Sequence, residues 1–140
     1  LRAACEGLGW DAAGLWAADR AAGVLRCSAF WPGPSGAAAG LEAASLGRTF
    51  APGEGLPGRV WASGEAAWIE DIAGDANFPR AAPALADGLR AACAVPVRLG
   101  ADALGVLELF GRRAGPRDPD ALREEDAVAG QAGQALERRR

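Results

Sequence analysis

The sequence predicts an α+β domain built around an antiparallel sheet, and three observations carry that reading. Two pairs of extended segments, Asp11–Ala18 with Val24–Trp31 and Leu89–Leu99 with Ala103–Phe110, are each joined by a short turn containing Gly and Asp, the pattern of β-hairpins. Helical patterns stand at both ends of the chain, and the resulting order αββααβαββα contains no internal repeat. At 140 residues this is one domain, residues 1–140, long enough to bury roughly two-thirds of its unfolded surface and to enclose a small ligand.

The elements follow in order. Leu1, Ala4, Cys5 and Leu8 stand at i, i+3, i+4 and i+7, one face of a helix that Gly7 or Gly9 ends. The chain opens inside this pattern without a methionine, which predicts a piece of a longer protein. In Val24–Trp31 the residues alternate, with Arg26 and Ser28 marking the more polar face. Pro32–Gly36 is a turn, Ala37–Leu46 a short Ala-rich helix stopped by Gly47, and Leu56–Ala62 one or two helical turns ending at Ser63 and Gly64. Ala67–Ile69 is extended, Asp71–Phe78 is loop, and Arg80–Asp87 is a short helix closed by Gly88. Pro96 cannot donate to a ladder, so the second hairpin has a local edge or bulge there. After the linker Gly111–Asp118, Asp118 serves as N-cap and Pro119 as the first helical residue of a helix running from about 119 to 137. Leu122, Ala129 and Leu136 recur at intervals of seven on it, widened by Val128, Ala132 and Ala135 into a small-residue stripe suited to close packing.

Composition removes several function classes. The net charge is −3 and the basic residues are all Arg, interspersed with acids, which gives no electrostatic basis for a nucleic-acid or anionic-membrane partner. The apolar runs are short and interrupted, so no transmembrane segment or signal peptide is read and a cytoplasmic location is expected, with no direct membrane contact. There is no His, which excludes His-ligated metal or haem and catalysis by Ser-His-Asp or Cys-His. No cofactor or metal is expected. Cys5, Cys27 and Cys93 are widely spaced in apolar settings, the arrangement of reduced, buried thiols rather than of a disulfide framework or zinc site.

The stretch Pro52–Phe78 is the densest in chemistry, with five glycines, two prolines, Trp61, Trp68 and Phe78. Gly53-x-Gly55-x-x-Gly58 matches a dinucleotide fingerprint in letters, with Asp71 near the distance of a ribose-binding acid. Its context does not match: no buried strand runs into it, the following helix is short, and Pro57 removes one amide from a phosphate cradle. The aromatics can line a pocket or fill the core. Glu108 interrupts an apolar strand, and period two puts it on one face with Leu104, Val106 and Phe110. A carboxylate there faces solvent at an edge, is hydrogen-bonded, or points into a cavity, and strands this apolar favour the cavity. Phe50, Trp61, Trp68, Phe78, Cys93 and Glu108 are the candidate ligand-binding residues; no catalytic or metal residue is assigned.

The run from Gly53 to Trp61 (GEGLPGRVW), Gly64-Glu65 with Trp68-Ile69-x-Asp71-Ile72, Asn77-Phe78-Pro79-Arg80, and Ala94–Val97 with Leu104–Glu108 together resemble a GAF domain of bacterial sensor histidine kinases and related multidomain signalling proteins. The resemblance covers nearly the whole chain. It implies a GAF-like, profilin/PAS-like central antiparallel sheet with terminal helices on one face and loops and short helices covering the other, where a cavity holds a small molecule or is filled by side chains. It also implies a non-enzymatic sensory module of two-component signalling, a homodimer formed through the terminal helices, an unidentified small molecule as ligand, and contact with other domains of a parent that is itself a histidine kinase or other signalling enzyme. Two alternatives stand beside it: a dimerisation scaffold without ligand, and a thiol-dependent reductase of the free methionine sulfoxide type. The lack of His departs from haem- and phytochrome-type members, and no N-K-F-D-E set of the cyclic-nucleotide type is present. The reductases hold their three cysteines in and around the pocket loops, where this chain has none between residues 28 and 92.

Overall fold

The fold, seen in a computed structural model, is described for residues 1–115 and for residues 125, 127–130 and 133. Its elements are α1 (Arg2–Leu8), β1 (Ala12–Asp19), β2 (Val24–Trp31), α2 (Ala39–Leu46), β3 (Thr49–Phe50), α3 (Gly55–Ser63), β4 (Ala67–Ile69), α4 (Ala81–Ala86), β5 (Ala91–Leu99) and β6 (Asp102–Gly111). The six strands form one antiparallel sheet in the order β3-β2-β1-β6-β5-β4. Both expected hairpins are present and β1 pairs with β6, so the two halves of the chain meet at the centre of the sheet. Residues 125, 127–130 and 133 are helical; the ends of the helix expected over about 119–137, with Asp118, Pro119, Leu122, Ala132, Ala135 and Leu136, lie outside the described residues.

Each sheet face carries its own core. On the loop side, Ala12, Trp16, Leu25, Val106 and Phe110 pack beneath Leu41, Phe50, Leu56, Val60, Ile72, Phe78 and Ala84 from residues 37–88. On the helix side, Ala13, Leu15, Cys93, Val95, Leu107 and Leu109 pack with Cys5 of α1 and Ala129 of the C-terminal helix. The central strands are apolar on both faces because both faces are covered.

Two bulges correct the simple alternation. Leu15 pairs with Ala29 while Trp16 pairs with Cys27, leaving Ser28 as an extra residue in β2. The strand therefore changes parity: Leu25, Cys27 and Phe30 join the loop-side core, while Ala29 and Trp31 join the helix side. Val97 pairs with Gly105 and Arg98 with Ala103, which leaves Leu104 extra in β6 and turns it to the helix side, away from Val106, Glu108 and Phe110. Pro96 pairs with Val106 beyond the end of β4, which spans only Ala92–Ala94 of β5, so the strand has a local edge at the proline.

Candidate functional site

Glu108 comes from the middle of β6, whose residues on either side are fixed by pairing with both β1 and β5, so its side chain has no freedom to leave the loop-side face. It is completely buried there. Arg80, the residue at the mouth of α4, reaches down to it from the covering layer with only 2% of its side chain exposed. The two form a fork: Arg80 Nη1 donates to Glu108 Oε1 at 2.9 Å and Nη2 to Oε2 at 2.6 Å. Trp16 Nε1 donates to the same Oε1 at 3.0 Å, and Arg80 Nη1 also donates to Ser45 Oγ at 3.1 Å. Ser45 in turn donates to the Leu41 carbonyl at 2.8 Å, so the network ends on backbone of α2.

Four aromatic rings surround the guanidinium. Its central carbon stands 4.9 Å from the Phe50 ring centre, 5.2 Å from Phe78, 5.3 Å from Trp16 and 5.8 Å from Phe110. The rings brace each other edge to face, Trp16 with Phe50 at 4.9 Å and Phe78 with Phe110 at 6.4 Å. A cation in such a box gains from the ring faces what it loses in hydration, and the paired carboxylate neutralises it. Gly14 makes room: a Cβ there meets Phe30 at 3.2 Å and Trp16 Nε1 at 3.3 Å. Arg80 Nε is the one donor of the group without an acceptor among the described residues, and Arg48, stacked over Phe50 at 4.8 Å, has its Nε in the same condition.

Of the six residues read from the sequence as ligand contacts, the structure brings Phe50, Phe78 and Glu108 together in this cluster, with Trp61 of α3 half-buried against the same core. Trp68 and Cys93 are elsewhere. They are cross-strand partners on β4 and β5, facing the helix side, because Ala67 and Ile69 take the loop-side positions of β4 while Ala92 and Ala94 take those of β5. Arg80 was the missing member. The available signal was Glu108 itself, a buried-strand acid requiring a cation, with nothing in the sequence to say which arginine answers it.

The glycine-rich stretch is a closed turn. Gly53 and Gly55 take φ of 83° and 63°, and a Cβ on Gly58 stands 2.3 Å from the Ala51 carbonyl oxygen. Its amides are occupied by the protein: Gly53 N–H donates to Gly58 O, Glu54 N–H to Ala51 O, Gly55 N–H to Asn77 Oδ1 and Gly58 N–H to Glu54 O. Asn77 also donates to Gly53 O, while Asp75 receives a two-pronged contact from Arg59 at 3.2 Å, tying the loop to α3. No amide fan remains for a phosphate, in keeping with the rejection of the dinucleotide fingerprint.

The helix-side face holds a second polar cluster. Glu125 of the C-terminal helix is completely buried on this face; Trp10 Nε1 donates to its Oε1 and the Cys93 thiol to its Oε2, both at 2.9 Å. Trp10 and Trp68 lie 5.4 Å apart at 58°, and Trp68 Nε1 donates to the Gly115 carbonyl at 3.3 Å. All three cysteines are unbridged. Burial pushes the Cys5 thiol up to about 12 and the Cys27 thiol up to about 11, the Glu108 carboxylate adding to the effect on Cys27. Cys27 packs on the loop side whereas Cys5 and Cys93 lie on the helix side, so the sheet stands between them. Among the described residues no cluster of Cys, Asp and Glu is arranged to hold a metal ion, and no helix is long and apolar enough to cross a membrane.

Comparison with known proteins finds the family described as GAF domain matching residues 1–137. The GAF domain of a phosphoenolpyruvate-protein phosphotransferase from Coxiella burnetii superposes with a TM-score of 0.74 at 20% identity, covering 93% of this chain and 73% of that one. A domain of a two-component sensor histidine kinase protein from Sinorhizobium meliloti superposes at 0.69 and 20% identity over 99% and 85% of the two chains. Free methionine-R-sulfoxide reductase from Neisseria meningitidis does so at 0.70 and 22% identity over 95% and 71%. At these identities the likeness is one of fold. In sequence, 80 residues are 39% identical to the anthocyanin regulatory Lc protein of Zea mays, a stretch spanning 56% of this chain and only 12% of the maize protein.

Proposed function

The chain belongs to the GAF domain family, and on that footing we propose that it is a non-enzymatic regulatory module of a signalling protein whose loop-side site is occupied by its own Arg80–Glu108 pair. GAF domains are typical of signalling and regulatory proteins, and the solved neighbours include one from a sensor kinase. The buried fork inside four aromatic rings is the observation that carries the reading, because it puts protein side chains where a small molecule would otherwise sit. A small molecule entering from the loops has to separate Arg80 from Glu108, which makes the pair the natural point of control on that face. The module acts through its helices: α1 and the C-terminal helix pack on the same sheet face, and dimerisation there couples two copies to the neighbouring domains of the parent.

The reductase reading is weaker. Thiol chemistry needs thiolates that approach each other, and here the sheet divides Cys27 from Cys5 and Cys93, while burial holds Cys5 and Cys27 protonated. The test has two arms. Native mass spectrometry and sedimentation of the purified chain are expected to give a ligand-free homodimer, and an assay with free methionine sulfoxide and a thiol reductant is expected to give no turnover. Turnover abolished by Cys→Ser substitution overturns the non-enzymatic reading. A stoichiometric small molecule that disappears in Glu108→Gln overturns the self-occupied site.

A further inference from the structure

The helix-side face offers an open cleft. It has a volume of about 590 Å³ and lies where α1 runs into β1 and β6 ends, within the roughly 300–1,000 Å³ usual for small-molecule sites. Trp10 and Trp68, half-buried and packed against each other with ring centres 5.4 Å apart at 58°, form its apolar wall. Gly111 gives that wall room: a Cβ there stands 3.3 Å from the Trp10 ring, which would have to give by a few tenths of an ångström. Arg112 and Arg113 also line the cleft. Arg112 is fixed, its backbone N–H donating to Asp11 Oδ2 at 2.9 Å and its Nη1 to the Asp87 carbonyl at 3.0 Å. Arg113 is exposed, and no described residue pairs with its guanidinium.

We propose that this cleft binds a small planar aromatic carboxylate, its ring against Trp10 and Trp68 and its carboxylate on Arg113. Indole faces favour flat apolar groups, the two arginines favour an anion, and Asp11 at the same cleft disfavours a second negative charge. The site is also wired to the output. Trp10, which the ligand's ring touches, is the residue whose Nε1 holds Glu125 of the C-terminal helix, so occupancy is felt by that helix directly.

The test uses 2-naphthoate and the ¹⁵N-labelled full chain, reading the indole N–H signals assigned by single Trp→Phe variants. Saturable shifts of the Trp10 and Trp68 signals are expected, with Trp16 unmoved. Arg113→Glu, at an exposed position that leaves folding intact, is expected to weaken binding by about tenfold or more, as is replacing the probe by neutral 2-naphthalenemethanol. Three results overturn the proposal: no saturable shift up to the solubility of the probe, shifts centred on Trp16 or Trp61, or equal affinity in Arg113→Glu and for the neutral alcohol.

Discussion

At the scale of single residues, Arg80 and Glu108 are more informative together than either is alone. Glu108→Gln leaves a buried cation with half its partner, and a destabilisation of about 3–5 kcal/mol is expected in urea unfolding. Arg80→Met is expected to cost a similar amount, and the double variant Arg80→Met, Glu108→Leu to cost clearly less than the sum, because no buried charge is left unpaired. Glu108 was legible as an oddity in an apolar strand, but its partner was not, since every basic residue is Arg and the one that matters lies 28 positions away in a short helix mouth. The thiols give a pH dependence. Below about pH 8.5 folded and unfolded chains both keep the Cys5 and Cys27 protons, so neither thiol affects stability. As pH rises from about 9 the unfolded chain ionises first, while the folded thiols hold their protons to about 12 and about 11. Stability is therefore lost with rising pH in that window. Denaturation at pH 8 and pH 10.5 checks it, and the Cys5→Ala, Cys27→Ala variant is expected to show the smaller drop.

At the scale of elements, the glycine turn and the bulges show how far pattern reading reaches. The loop from Pro52 was read correctly as a turn-rich cover, and its rigidity follows from Asn77 and Asp75, whose bonds cross some twenty residues. Gly58→Ala forces a methyl against the Ala51 carbonyl and is expected to lower stability by about 1–3 kcal/mol in thermal melts. Gly74→Ala, with open space around its Cβ, is expected to change it by less than about 0.5 kcal/mol. The strands were placed well and their faces less well. Alternation holds only until a residue is inserted, and the insertions at Ser28 and Leu104 come from twist and register rather than from residue type. Trp68 misled for a related reason: its size and loop-rich surroundings suggested the pocket, whereas its position between Ala67 and Ile69 sends it to the other side. The hairpin register, pairing Ala94 with Glu108 and Cys93 with Leu109, carried the information that Cys93 and Glu108 are back to back.

At the scale of the whole molecule, the domain is a sheet with two different faces, one closed by its own ion pair and one that docks helices. Trp10→Phe keeps an aromatic ring and removes the donor to buried Glu125, so the amides of residues 127–130 are expected to exchange about tenfold faster and global stability to fall by about 1–3 kcal/mol, as hydrogen–deuterium exchange and urea unfolding can read. The sheet order has a temporal consequence as well. Because β6 lies between β1 and β5, the N-terminal hairpin waits for a strand that is synthesised last, and β1 has no neighbour on that side until residue 111 has left the ribosome. Folding is thus postponed to the end of translation of this segment, with the apolar flank of β1 exposed in the meantime and a chain released before Gly111 open to edge-to-edge aggregation.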